Sequence, residues 1–478
     1  MDFRPVLFVI GIFLTILSFA MLVPMSADLQ AGYDDWQVFA LSSLFVSFIG
    51  VSLILTNRHP HHNISLREGF LMTTLSWFAL SIAGSVPFYF SELNLSLTDS
   101  LFEAVSGITT TGSTVLTGLD TMPPGILLWR ALLQWLGGLG FIVMALSLLP
   151  FLKIGGMQLF KLESSETEKA TPKTEQLATS IGLIYLALTT LCYIGYLVSG
   201  MTSFDALAHA MTTISTGGYS THDASFGYFI NGYTHIVAIL FMLLGSLPFT
   251  LYLYTMNGRP KALLRDSQVH WFLFIIIAAG SIATLYVKNS FYVDAPVIKS
   301  FFTVTAVMTG TGYVNVDYSI WGPFFTGLAF FLMVIGGCAG STTCGIKVFR
   351  FQILYKISNS QIKQLIYPNG VFEPYYNGKI IPKEVSASVM SFFFLYALSF
   401  SVIALMLSLT GLDFLTAMSG AATSISNVGP GLGGVIGPNG TFQSLPDASK
   451  WVLCVGMLLG RLELFTILVL LSPKFWVR

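Results

Sequence analysis

Long apolar runs alternate with polar breaks along this chain, and the runs fall into two length classes. An α-helix rises 1.5 Å per residue, so about 20 apolar residues cross a hydrocarbon core about 30 Å thick. Ten runs approach that length, at 6–25, 37–56, 69–91, 125–151, 178–199, 229–255, 270–287, 321–355, 385–410 and 449–472. Apolar segments of about ten residues, too short to span, follow the third, fifth, seventh and ninth runs. Each short segment ends on a variant of one phrase: Ile108-Thr-Thr-Thr-Gly-Ser113, Thr213-Ile-Ser-Thr-Gly-Gly218, Met308-Thr-Gly-Thr-Gly-Tyr313 and Ile425-Ser-Asn-Val-Gly-Pro430. The pattern predicts an all-α polytopic membrane protein, with a two-helix preface and four pseudo-fourfold helix–loop–helix repeats.

The fifth position of every phrase is glycine: Gly112, Gly217, Gly312 and Gly429, spaced by 105, 95 and 117 residues. Glycine opens backbone conformations closed to other residues, which lets an extended strand turn its carbonyls inward. Four such strands around one axis would form rings of carbonyl oxygens able to replace the hydration shell of an alkali cation. A single copy reads as a turn between membrane helices; four copies in matching places read as an ion pore in one chain. The expected divisions are 1–66 (preface), 67–152 (first repeat), 153–177 (cytoplasmic linker), 178–258 (second repeat), 259–355 (third repeat), 356–383 (second cytoplasmic linker) and 384–478 (fourth repeat).

Composition agrees. The 478 residues are 54% hydrophobic and 10% charged, with a mean hydropathy of +0.74, which belongs to a membrane protein. The first run lacks a convincing small-residue cleavage site and is expected to stay as a helix. Cys192, Cys338, Cys344 and Cys454 lie in or beside apolar runs, in no zinc spacing and no disulfide framework.

The basic residues sit asymmetrically. With the N-terminus inside, one set of loops holds Arg58, Arg67, Lys153, Lys161, Lys169, Lys173, Arg259, Lys261, Arg265, Lys347, Arg350, Lys356, Lys363, Lys379, Lys383, Lys474 and Arg478. The other holds Arg130, Lys288, Lys299 and Lys450. That bias puts both termini in the cytoplasm and brings all four short segments in from outside. The outer loops then carry Asp28, Asp34, Asp35, Asp99, Glu103, Asp120, Asp205, Asp223, Asp294, Asp317, Asp413 and Asp447, a funnel of the sign that concentrates cations. Asp99, Asp205 and Asp413 stand where helix N-caps are expected. The two cytoplasmic linkers read either as solvated loops or as surfaces that meet a partner.

Two features interrupt the apolar runs. Gly336-Gly-Cys-Ala-Gly-Ser-Thr-Thr-Cys-Gly345 is either non-helical backbone lining a cavity or a small-residue helix contact. Arg461 sits well inside the last run, where a charge is costly and is by default functional. Below a ring of carbonyls, at about 8 Å and an effective dielectric near 20, it would cost a passing cation about 2 kcal/mol. It could instead bind a loop carboxylate or the carbonyls of 336–345. Glu463, two residues on, would point away from it on a helix and meet another helix.

Taken together, the four loops, the interrupted eighth run and the late arginine resemble the Trk/Ktr/HKT superfamily of potassium transporters, the bacterial TrkH/TrkG branch in particular. The resemblance covers nearly the whole chain. It implies a filter at Thr110, Thr111, Gly112 and Ser113; Ser215, Thr216, Gly217 and Gly218; Gly310, Thr311, Gly312 and Tyr313; and Asn427, Val428, Gly429 and Pro430. Family members favouring sodium often carry serine in place of the first filter glycine, so Gly112 implies potassium. The aromatic of the potassium-channel signature stands only in the third loop, with Pro430 in its place in the fourth. Rb⁺ is therefore expected to be accepted and some Na⁺ to leak. The resemblance also implies an intramembrane gate of Gly336, Gly337, Gly340, Ser341, Thr342, Thr343 and Gly345 with Arg461. It further implies a homodimer in the bacterial inner membrane, and a cytoplasmic ring of RCK-type, TrkA-like nucleotide-binding regulatory subunits.

Several other matches are discounted. Gly429-Pro-Gly-Leu-Gly-Gly434 lacks a strand–helix context for a dinucleotide, and Gly340-Ser-Thr-Thr-Cys-Gly-Ile-Lys347 has its lysine one residue late for a P-loop. His59, His61 and His62 read as a polar loop or a weak metal site, and His209 as a packing or dipole residue rather than a proton relay. Nothing suggests catalysis, an organic cofactor or nucleic-acid binding; besides bilayer lipid, the expected ligand is K⁺ held in the filter. An inward-negative potential supplies about 2.3 kcal/mol per charge per 100 mV, enough for roughly fifty-fold accumulation. The alternative is a cotransporter coupling K⁺ to Na⁺ or H⁺, which would draw on Arg461, Glu463 or Glu103.

Overall fold

The computed structural model describes residues 2–58, 65–147 and 174–477, with side chains over 2–58, 65–144 and 177–477. His59, His61 and His62 and most of the first linker lie outside the described residues.

The preface consists of a span Arg4–Ala31 and a second helix, Trp36–Thr56. They cross tightly at Gly11 and Gly50, where a Cβ on Gly11 would stand 2.7 Å from the Gly50 carbonyl oxygen. The preface packs on Leu66–Phe90, the outer helix of unit one. Each of the four units then repeats a long outer helix, a short helix and an inner helix. Unit one is Leu66–Phe90, Leu97–Ile108 and Pro124–Ser147. Unit two is Thr174–Val198, Ser203–Ile214 and Gly232–Gly245, continued at an 88° bend by Phe249–Met256. Unit three is Ser267–Ser290, Pro296–Met308 and Gly322–Ile335, continued by Val348–Ile366. Unit four is Lys383–Leu409, Phe414–Ser426 and Asp447–Arg461, continued by Phe465–Leu470.

Eight helices of the described residues are long and apolar enough to cross a membrane, or nine if the bent pair counts as one. The sequence pattern predicts ten. The last run falls short because its helix breaks after Arg461, where Glu463 and Leu464 take left-handed backbone conformations (φ +60° and +52°). The linker 356–383, expected as loop, begins as helix up to Ile366 and holds a two-stranded hairpin of Tyr375–Tyr376 with Lys379–Ile380.

Three short helices share one capping scheme. Ser96 Oγ accepts from the Asp99 amide at 3.1 Å, and Thr202 Oγ1 from Asp205 at 3.1 Å. Asp413 accepts from Thr416 at 3.2 Å. Asp413 is thus the N-cap expected of it, whereas Asp99 and Asp205 sit three residues inside their helices. There each carboxylate accepts the capping hydroxyl, at 2.8 and 2.7 Å, and faces the positive end of the helix dipole.

Candidate ion pathway

Each short helix ends and the chain turns by the same device: two left-handed residues, two apart. They are Thr110 and Gly112 (φ +55° and +87°), Thr216 and Gly218 (+51° and +79°), Gly310 and Gly312 (+74° and +72°), and Asn427 and Gly429 (+52° and +100°). In three units the amide between them bonds back into the short helix: Thr111 to the Ser106 carbonyl (2.9 Å), Gly217 to Thr212 (2.9 Å) and Val428 to Thr423 (3.1 Å).

This corrects the expected register of the second loop. Gly218, not Gly217, is the counterpart of Gly112, Gly312 and Gly429. Two adjacent glycines allow either register in the sequence, and the backbone takes the later one. Tyr219 then matches Tyr313, so the aromatic stands in two loops rather than only the third. Their contacts agree: the Tyr219 hydroxyl donates to the Glu103 carbonyl at 3.0 Å, and the Tyr313 hydroxyl to the His209 carbonyl at 3.2 Å. Glu103 and His209 occupy equivalent places on their short helices.

The four loops meet one another in a closed cycle. A Cβ on Gly112 would lie 2.2 Å from the Gly217 carbonyl oxygen, and one on Gly218 would lie 1.6 Å from that of Thr311. One on Gly312 would lie 1.9 Å from the Val428 oxygen, and one on Gly429 would lie 3.0 Å from the Thr111 oxygen. Loop one therefore abuts loop two, two abuts three, three abuts four, and four returns to one. Ser113 Oγ donates to the Gly429 carbonyl at 2.7 Å and Asn427 Nδ2 to Thr111 Oγ1 at 2.8 Å, closing the last gap. Only glycine permits backbones this close.

A belt of buried polar groups braces the loops from behind. Gln134 Nε2 donates to the Gly217 carbonyl at 2.7 Å, while its Oε1 accepts from the Tyr219 amide at 3.1 Å. Arg130 pairs with Glu103 at 2.8 Å, donates to the Ser220 carbonyl and Thr114, and lies 4.1 Å over the Tyr219 ring. Both members of this pair, expected on outer loops, are buried in helices. Sequence reasoning missed Gln134, Arg130 and Tyr219 as a group. The signal was an arginine and an amide four residues apart, on one helix face of an apolar run. His209 is buried, bonded to the Asp205 carbonyl (2.8 Å) and Ser220 Oγ (2.9 Å), and walled by aromatic rings. It packs, as expected.

Outside the cycle lies a cavity of about 250 Å³ whose wall includes Gly112, Gly218, Gly312 and Gly429, with His222 and Asp223 among its outer residues. His222 Nδ1 meets Asp120 at 2.5 Å, its Nε2 lies 3.4 Å from Asp205, and its ring stacks on Tyr228. Burial disfavours the imidazolium, but the Asp205 and Asp120 carboxylates outweigh it and raise the His222 pKa above its ordinary value. The same contact, led by the hydrogen bond from His222, holds Asp120 below the usual carboxylate range.

On the opposite side of the cycle, residues 336–347 leave the helix and form a buried loop rather than a small-residue helix contact. Gly336, Gly340 and Gly345 take φ of +75°, +74° and +78°. Ser341, Thr342 and Thr343 are fully buried. Thr342 Oγ1 lies 3.2 Å from Thr216 Oγ1, joining this loop to the base of loop two. The bend in unit two exposes carbonyls that the loop satisfies: Thr342 Oγ1 donates to Gly245 at 2.9 Å and the Cys338 amide to Ser246 at 3.2 Å. Non-helical backbone at membrane depth persists where such partners exist. Arg461 is wholly buried and forks across the loop. Nη1 donates to the Thr342 carbonyl (3.1 Å) and Cys344 Sγ (2.7 Å), and Nη2 to the Gly137 carbonyl (3.2 Å). Its partners are carbonyls and a thiol rather than a carboxylate. Glu463 does turn to another helix, but because the helix has ended. It meets Lys347 at 3.0 Å and Arg350 at 2.5 Å. Both cations were expected in a cytoplasmic loop and are buried instead.

Four quasi-equivalent units that bring four re-entrant loops together in a membrane define a channel-like cation transporter. A family model described as "TrkH: Cation transport protein" matches residues 35–477, and the chain belongs to that family. The Trk system potassium uptake protein TrkI of Halomonas elongata is 43% identical over 99% of this chain and 96% of its own length. The Trk system potassium uptake protein TrkG of Escherichia coli K12 is 36% identical over 99% and 98%. The crystal structure of the potassium transporter TrkH from Vibrio parahaemolyticus superposes with a TM-score of 0.92, at 36% identity and full coverage of both chains.

Proposed function

We propose that this chain takes up potassium across a bacterial inner membrane through a pore formed by one polypeptide, driven by the membrane potential. The observation that carries this reading is the cyclic contact of loops one to four through Gly112, Gly218, Gly312 and Gly429. Such a ring holds backbone oxygens at a spacing fixed by the protein, which is how an alkali cation is dehydrated without large cost. The filter is Thr110–Ser113, Gly310–Tyr313 and Asn427–Pro430, with a second strand that the register of Gly218 shifts by one residue from Ser215–Gly218 to Thr216–Tyr219, and K⁺ is its ligand. The hydroxyls of Tyr219 and Tyr313 hold its second and third strands to neighbouring short helices, which favours K⁺ over Na⁺ by resisting collapse onto the smaller ion. The names of the relatives, potassium uptake proteins, point the same way.

The loop 336–345 obstructs the path below the filter, with Arg461 fastening it. Both termini face the cytoplasm. A homodimer and a cytoplasmic nucleotide-binding ring complete the assembly, in keeping with the words "Trk system" in the relatives' names. The ring docks on the end of Val348–Ile366, where Leu365, Ile366, Tyr367 and Val371 are 82%, 62%, 63% and 87% exposed, an apolar patch beyond the spans.

Uptake of ⁸⁶Rb⁺ into K⁺-loaded proteoliposomes tests the reading. Uptake is expected to be competed by external K⁺ far better than by Na⁺. No uptake, or equal competition by both ions, contradicts it.

A further inference from the structure

Glu463 stands in a buried charge cluster that the filter does not use. It is 3% exposed, accepts from Arg350 Nη2 at 2.5 Å and lies 3.0 Å from Lys347 Nζ. The cations are as hidden: Lys347 lies 4.7 Å from the centre of the Phe141 ring and Arg350 3.7 Å from that of Phe392. Lys347 ends the 336–347 loop. Its own φ is +74°, and its amide bonds to the Ile335 carbonyl at 2.8 Å, pinning the two ends of the loop together.

The geometry that brings Glu463 here is strained. Glu463 and Leu464 are consecutive left-handed residues, neither of them glycine, and each such residue persists only where its surroundings enforce it. On a continuous helix, residues 461 and 463 would point about 200° apart. The break instead turns both onto one loop. Arg461 holds its middle at Thr342 and Cys344, and Glu463 holds its end at Lys347 and Arg350.

We propose that Glu463 is a positioning residue for gating: it clamps the cytoplasmic end of the 336–347 loop in the obstructing pose, and the break at Glu463–Leu464 is the hinge that releases it. This rests on the reading of that loop as the obstruction. Without the Glu463 charge, the buried Lys347 ammonium loses the carboxylate 3.0 Å away, which is strongly unfavourable. Its nearest relief is water on the cytoplasmic side, so the loop end moves outward.

The test uses the purified full-length protein and two readouts. The first is maleimide labelling of Cys344 and Cys338, which are 6% and 0% exposed, with buried Cys192 and Cys454 as references in the same mass-spectrometric digest. The second is ⁸⁶Rb⁺ uptake without any regulatory subunit. Glu463→Gln is expected to label about tenfold faster at Cys344, as local opening predicts, with Cys192 unchanged. It is also expected to raise uptake several-fold at the same K⁺ over Na⁺ preference. Adding Lys347→Met, which removes the cation that lost its carboxylate, brings both values back toward wild type. Leu464→Gly, which relieves strain and keeps the charge, labels no faster than wild type. Unchanged Cys344 labelling in Glu463→Gln, or a rise at all four cysteines together, overturns the clamp. Faster labelling in Leu464→Gly overturns the hinge. Labelling needs no transport, so a Cys344 response in protein that carries no Rb⁺ refutes the pore and leaves the clamp standing.

Discussion

At Gly218 an added Cβ would stand 1.6 Å from the Thr311 carbonyl oxygen, on a residue whose φ is +79°. At Gly217 it would meet the tip of the Gln134 side chain at 2.4 Å, in backbone of ordinary handedness. The left-handed conformation alone costs a non-glycine residue roughly 1–2 kcal/mol, and the clash with backbone cannot relax as a side chain can. Gly218→Ala is therefore expected to abolish K⁺-selective ⁸⁶Rb⁺ uptake, and Gly217→Ala to retain a substantial part of it. Gly112→Ser meets the Gly217 oxygen at 2.2 Å and is expected to lower K⁺ over Na⁺ discrimination in competition assays. Arg461→Ala removes three donor contacts from the loop and its neighbours, so regulator-free uptake should rise. Arg461→Lys, a point charge without the planar fork, should fall between. The His222 contact has a pH signature. Its raised pKa means the contact stabilises the fold below the unfolded imidazole value of about 6.5, and that stabilisation is lost as pH rises through the folded value. The depressed Asp120 pKa sets the lower edge, with stability lost as pH falls through its folded value. The difference in Tm between wild type and His222→Gln should therefore be largest near pH 6 and shrink toward alkaline pH.

Among the elements, length and composition foretold most of what formed. Every run of about twenty apolar residues but the last became a helix or bent pair long enough to cross, and the ten-residue segments became short helices too brief to cross. The break at 336–347 was legible because small and polar residues there offer a helix nothing to pack. The break after Arg461 was not. Leu462 and Leu464 are apolar, no glycine or proline marks the place, and the cause is Glu463 reaching Arg350, 113 positions away in sequence. Likewise the register of the second loop could not be read from two adjacent glycines, since it is set by the Tyr219 hydroxyl on the Glu103 carbonyl and by Gln134. The capping scheme carries its own prediction. Ser96→Ala and Thr202→Ala should each cost about 1 kcal/mol, seen as a modest fall in Tm. Asp99→Ala should cost more, because it also takes away the carboxylate 2.6 Å from the buried Lys450 ammonium.

For the molecule as a whole, the basic-residue asymmetry was partly read from the wrong groups. Lys347 and Arg350 on one side and Arg130 on the other are buried structural cations, and Lys450 is paired with Asp99 at 2.6 Å. Among the described residues, the exposed Arg67, Arg259, Lys261, Arg265, Lys356, Lys363, Lys383 and Lys474 still carry the bias. Inner helices of units two, three and four each break after 14 or 15 residues, and the 336–347 loop sits among those breaks. In the proposed function, the closed ring of glycine-bearing loops is the filter and the loop held by Arg461 is its gate, both within one polypeptide. The most direct measurement is the bi-ionic reversal potential of the purified protein in a planar bilayer, with K⁺ on one side and an equal concentration of Na⁺ on the other. An uncoupled, K⁺-preferring pore gives a reversal potential of the sign and size set by that preference, insensitive to an imposed pH gradient and collapsing toward zero in Gly112→Ser. A reversal near zero in the wild type, or one that follows the pH gradient, would contradict it.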